Sequence, residues 1–121
     1  MNPPLELKWV KCQKNQWCSF HHVDVSFVTT HGVYVIWFSG TPGTPGRVVY
    51  IGHGKLSAHI QALRANPNFR NYAKHGTLYV TWASVSEEYR EGVARYLVEK
   101  WSPLGADAQL SSAPIAVNSP W

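Results

Sequence analysis

Six consecutive apolar residues, Val33-Tyr34-Val35-Ile36-Trp37-Phe38, constrain this 121-residue chain more than anything else in it. A strand with one wet face alternates apolar and polar positions, whereas a strand covered on both faces is apolar throughout. The run is short and rich in β-branched and aromatic residues. It therefore predicts a central strand with packing on each side.

Turn chemistry follows, from Ser39 to Gly46, and Arg47 to Ile51 resumes the β pattern, so the two runs predict a hairpin with a long loop. After Gly52 and Gly54, the residues Leu56, His59, Ile60 and Leu63 recur at helical spacing until Asn66-Pro67, a helix of about three turns. The stretch Asn66 to Gly76 reads as loop. Thr77 to Ala83 reads as a third strand, with Leu78, Val80 and Trp82 alternating against Thr77, Tyr79 and Thr81. Ser84-Val85-Ser86-Glu87 has the spacing of a capping box, and Glu87, Glu88 and Glu91 suit the positive end of the helix it would open. Tyr89, Val93, Tyr96, Leu97 and Trp101 supply that helix with an apolar stripe, and Ser102-Pro103 ends it. Upstream, Leu7 to Phe27 is irregular, with a candidate strand at Val23 to Val28, and reads as a wrapper over the core. Leu104 to Trp121 reads as an extended tail. No internal repeat is visible.

The length fits one domain with a single core. No apolar stretch is long enough to cross a bilayer, and no basic segment followed by an apolar one opens the chain, so the expectation is a soluble, cytoplasmic protein. A formal charge of +4 favours polyanionic partners. Lys55, Arg64, Arg70 and Lys74 fall along the first helix and the stretch after it, where they would form either a nucleic-acid-facing edge or a solvated face. Cys12 and Cys18 are the only cysteines. Their spacing matches no metal motif, and in a reducing compartment two buried thiols are expected. His21-His22 beside Cys18 is half of a zinc set, complete only if Cys12 converges.

Tyr34 closes Gly32-Val33-Tyr34, and Tyr50 opens Tyr50-Ile51-Gly52, sixteen positions later. Tyrosines on paired strands can aim two phenols at one spot. These tripeptides, in a hairpin followed by Gly-x-Gly, an amphipathic helix, a strand and a second helix, resemble the GIY-YIG nuclease superfamily. The match runs from about Gly32 to Pro103 and includes Gly76 to Ala83 and Arg95-Tyr96-Leu97. The resemblance implies an α+β domain, a three-stranded antiparallel sheet flanked by helices. It also implies hydrolysis of DNA phosphodiesters with one divalent metal, Mg²⁺ or Mn²⁺, with RNA as the other substrate class. Tyr34 would help to activate the attacking water and Tyr50 would position the nucleophile or the phosphate. A phenol is a poor base at neutral pH unless a cation lowers its pKa, so such a site also needs a cation and a carboxylate. Gly52 and Gly54 would allow a phosphate to approach, with His53 and Lys55 beside it.

The chain departs from the family pattern at two places. The family arginine falls at His59 or Ile60, which leaves His59 as the polar candidate, without the fixed charge and fork of arginine. Lys55 and Arg64 are nearby alternatives. The family glutamate falls at Ala94, nine positions before Pro103, and a methyl group ligates nothing. Glu91, one turn earlier, is the leading substitute, with Glu87 a further turn away. The asparagine that follows the proline in the family falls at Ala106, with Asn118 as a distant replacement. Two functions are expected on this basis: an endonuclease impaired by Ala94, or a non-catalytic nucleic-acid or protein-interaction module on the same fold. Whether Ala94 is an engineered disarming change or a natural loss stays open, and targeting would come from the wrapper, a homodimer or a partner protein.

Overall fold

The computed structural model describes residues 5–12, 14, 16–26, 28–38, 46–72, 77–106 and 113–120. Its elements are β1 (Cys18–Ser19), β2 (His31–Phe38), β3 (Arg47–Lys55), α1 (Leu56–Arg64), α2 (Pro67–Tyr72), β4 (Leu78–Ser84), α3 (Glu87–Trp101) and β5 (Gly105–Ala106). They form one α+β unit around a sheet of order β1-β4-β2-β3-β5. The three long strands pair antiparallel, as the sequence suggests. The three-strand expectation is nevertheless too small, because two-residue strands extend both edges, β1 antiparallel to β4 and β5 parallel to β3.

β2 lies between β3 and β4 and is buried from Gly32 to Phe38. Alternate residues enter two separate cores, which explains the unbroken apolar run. Tyr34, Ile36 and Phe38 share one core with Leu56 and Ile60 of α1, Phe69 of α2, and Phe20 and Val25 from the N-terminal segment. Val33, Val35 and Trp37 face the other, with Val93, Ala94 and Leu97 of α3. A β-bulge between Ile36 and Trp37 leaves Val49 as the extra residue on β3, so Val49 and Tyr50 both join the Tyr34 side. Gly32 is required by close packing, since a Cβ there would lie 1.9 Å from the Ala83 carbonyl oxygen on β4.

Several local expectations are corrected. Val23 to Ser26 forms no strand; Asp24 Oδ1 instead accepts from the backbone N–H and the hydroxyl of Ser26, closing an Asx turn. Pro67 starts the short helix α2 inside the expected loop, a position where its missing N–H costs nothing. The capping box is absent: Ser84 ends β4, Ser86 is the N-cap, and it makes no side-chain cap bond. Tyr89 lies outside the apolar stripe, 43% exposed. The long hairpin loop, 39–45, falls outside the described residues.

The cysteines are not two buried thiols. Cys12 and Cys18 are joined by a disulfide with a Cα–Cα separation of 5.1 Å, and Cys12 is exposed. Backbone pairing of Cys12 N–H to the Gln16 carbonyl folds the segment back on itself and brings the two sulfurs into range. Two bonded sulfurs supply no thiolate, so the half zinc site with His21 and His22 is lost.

The wrapper and the tail hold each other. Leu5 bridges Val117 in parallel fashion. Asn118 accepts from Leu7 N–H at 2.6 Å, donates to the Leu7 carbonyl at 3.0 Å, and its own carbonyl accepts from Trp9 Nε1 at 3.0 Å. Asn118 is thus a clasp between chain segments and does not stand in for the family asparagine. The tail crosses α3 at Gly92, where a Cβ would lie 2.7 Å from the Ala113 carbonyl oxygen. No described helix is long and apolar enough to cross a membrane.

Candidate functional site

Tyr34 and Gly52 are directly opposed on β2 and β3, and Ile36 opposes Tyr50. The two tyrosines are therefore diagonal neighbours on one face of the sheet, close enough for aromatic side chains to meet. Their rings lie nearly parallel, 11° between planes and 6.1 Å between centroids. His59 completes the group from α1. Its Nδ1 is 3.2 Å from Tyr34 Oη, and the two rings meet edge to face at 5.7 Å. With the proton on Nε2, the phenol donates to Nδ1; with both nitrogens protonated, the imidazolium donates to the phenol.

Gly52 and Gly54 hold the space for this arrangement. A Cβ on Gly52 would sit 2.3 Å from Tyr34 Oη, so the tyrosine hydroxyl occupies the volume a side chain would fill. Gly54 has φ of 128°, a conformation that L-residues avoid, and a Cβ there would lie 2.8 Å from His59 Nε2. The two glycines of Gly-x-Gly thus serve the side chains above them. Tyr34 is 1% exposed, whereas Tyr50 and His59 are half-buried. Together with Ala58, Ala62 and Leu63 they line a cleft of about 280 Å³.

Comparison with family models, curated proteins and solved structures finds no match to this chain.

The other residues singled out in the sequence divide into two groups. His53 and exposed Lys55 lie on β3 next to the two glycines, with Lys55 at the N-cap of α1. Arg64 is drawn away: its Nε donates to the Phe20 carbonyl at 2.8 Å and a terminal nitrogen donates to the Val23 carbonyl, while its guanidinium lies over the Phe20 ring. It anchors the wrapper to α1, and its burial there lowers its pKa. Lys74 and the Arg70 side chain lie outside the described residues.

Ala94 is not part of the cleft. It is fully buried in the core that contains Val33, Val35 and Leu97, beneath the sheet face opposite to Tyr34. α3 carries Glu91 and Glu87 in that same opposite layer, and neither lines the cleft. A glutamate substituted at 94 would be surrounded by hydrocarbon, where an ionised carboxylate is costly. Among the described residues no group of three or more His, Cys, Asp or Glu side chains converges to hold a metal ion. Among the described residues the cleft offers two phenols and an imidazole, a donor set that does not fit Mg²⁺ or Mn²⁺, which take oxygen ligands with at least one carboxylate among them. Tyr34, Tyr50 and His59, singled out in the sequence, come together at this cleft. The role of Gly52 as the floor under one phenol has no sequence signal beyond a glycine at a cross-strand position.

Proposed function

We propose that this chain is a GIY-YIG-type domain that binds a nucleic-acid phosphodiester, DNA in the first instance, in the Tyr34–Tyr50–His59 cleft. It acts as a binding module, with hydrolysis slow or absent. The stacked phenols with His59 bonded to Tyr34 carry this reading. A phosphate is an anion that accepts hydrogen bonds, the half-buried Tyr50 O–H and His59 N–H at the cleft are donors to it, and exposed Lys55, one residue beyond Gly54 on β3, adds positive charge. Among the described residues no carboxylate lines the cleft, which favours binding over metal-assisted cutting.

The Tyr34–His59 hydrogen bond supports a second reading, a residual phosphodiesterase. In that reading His59 Nδ1, 3.2 Å from Tyr34 Oη, is the proton acceptor of the pair, and Tyr34 orients it.

Fluorescence anisotropy with labelled duplex DNA, single-stranded DNA and RNA over a salt series is the test. Affinity should fall steeply with salt, since log K drops by about 0.9 per phosphate neutralised for each tenfold rise in salt on duplex DNA. Lys55→Gln should lower that slope by about one unit, and His59→Ala should weaken binding on every sequence. Binding that ignores both substitutions would refute the cleft as the site. Plasmid nicking lost in Tyr34→Phe or His59→Ala would move the assignment to the phosphodiesterase.

A further inference from the structure

A second cavity lies away from the tyrosine cleft. It encloses about 670 Å³, within the ~300–1,000 Å³ range of small-molecule sites. It opens where the β2–β3 hairpin meets the end of α3, and its walls are Trp17, Trp37, Phe38, Arg47, Val48 and Trp101. The three indoles come from separate segments: the wrapper, β2 and the last residue of α3. Trp37 is nearly buried and forms the floor, held edge to face against Trp17 at 5.2 Å between centroids. Trp17 and Trp101 are half-buried and form the sides.

Cations lie beside these indoles. Arg47 lines the cavity and is exposed. Lys11 Nζ lies 4.5 Å from the Trp17 ring centroid, and Lys100 Nζ lies 5.6 Å from that of Trp101. Indole walls alone would suit any flat apolar group or an organic cation. Arg47 in the lining, with Lys11 and Lys100 against two of the indoles, disfavours a cation and attracts an anion. The C-terminal end of α3 carries the opposite partial charge, but the left-handed Ser102 turns its N–H back to the Val98 carbonyl and blunts it.

We propose that this cavity binds a planar aromatic anion of the nucleotide class, with its base against Trp17 and Trp101 and its phosphate on Arg47. Base stacking on indole tolerates any base, and the guanidinium fork matches phosphate. The ligand is either a free mononucleotide or one nucleotide of a single strand. The site stands independently of the tyrosine cleft, which lies on the other face of the sheet.

The experiment follows the indole N–H signals by ¹⁵N NMR while the intact protein is titrated with AMP, adenosine or a short thymidylate oligonucleotide. AMP should shift the Trp17 and Trp101 signals saturably, and Arg47→Gln should raise its Kd about tenfold while leaving adenosine unaffected. The His59→Ala variant should respond to AMP like the parent, which separates this site from the cleft. Shifts at the same indoles with the oligonucleotide identify a strand as the source, and shifts with AMP alone identify the free nucleotide. No saturable shift with AMP, or equal affinity for AMP and adenosine in the parent protein, overturns the proposal. Trp17→Phe, which keeps an aromatic wall, should retain weakened binding; an unchanged Kd counts against the stacking role.

Discussion

Tyr34 Oη occupies the place of a side chain at residue 52, so phenol and glycine are one unit divided between two strands. Substituting Gly52 with alanine puts a methyl group 2.3 Å from that oxygen, and the ring has no slack because Tyr50 stacks beside it. Gly52→Ala should therefore cost about 1–3 kcal/mol of stability. It should also lose nucleic-acid affinity as far as His59→Ala does, because the Tyr34–His59 bond is broken. Thermal melting with the anisotropy assay checks both. Tyr34, Tyr50 and His59 were legible as a group because strand pairing and helical spacing are periodic, and periodicity fixes which face a side chain takes. Arg64 was not legible as an anchor, since its partners are carbonyls at Phe20 and Val23, far away in a segment without any period.

The N-terminal wrapper is held by side chains more than by strand pairing, and its stability depends on pH accordingly. His21 sits edge to face on Phe20 at 5.0 Å between centroids. Although the residue is exposed, partial desolvation of its ring first, then the charges of Arg64 and His22, hold its pKa below the ordinary 6.5. A histidine with a depressed folded pKa takes its proton first in the unfolded chain, so stability rises with pH across the interval between the two values. Acidification below 6.5 should thus lower the melting temperature, and His21→Gln should flatten that slope. Asp24, held below its ordinary 3.8 by the hydrogen bonds from Ser26, acts in the same direction only in stronger acid. Melting curves between pH 6.5 and 3.8 separate the two. This element shows where sequence reasoning ran out: Val23 to Val28 has strand-like composition, but the Asx turn at Asp24 spends the backbone donors on a turn.

The whole molecule is a sheet with a helical layer on each face and its two terminal segments tied across one end. The helices α1 and α3, their C-terminal stops and the central strand were legible, because each depends on residues close in sequence, whereas α2 was hidden in a polar stretch read as loop. The five-strand sheet and the placement of Ala94 behind it were not, because they depend on which segments meet at the sheet edges and on which face α3 takes. The Cys12–Cys18 disulfide closes a short loop with a sequence separation of 6. By the chain-entropy account its loss should cost about 2 kcal/mol. Melting with and without reductant, or of a Cys12→Ser, Cys18→Ser double variant, should show that loss, and an unchanged midpoint would mean that the wrapper contributes little. The parallel bridge between Leu5 and Val117 places entry and exit of the fold side by side. A unit with adjoining ends can be spliced into a surface loop of a host enzyme, or joined head to tail and reopened elsewhere, without pulling apart the sheet that carries the tyrosines.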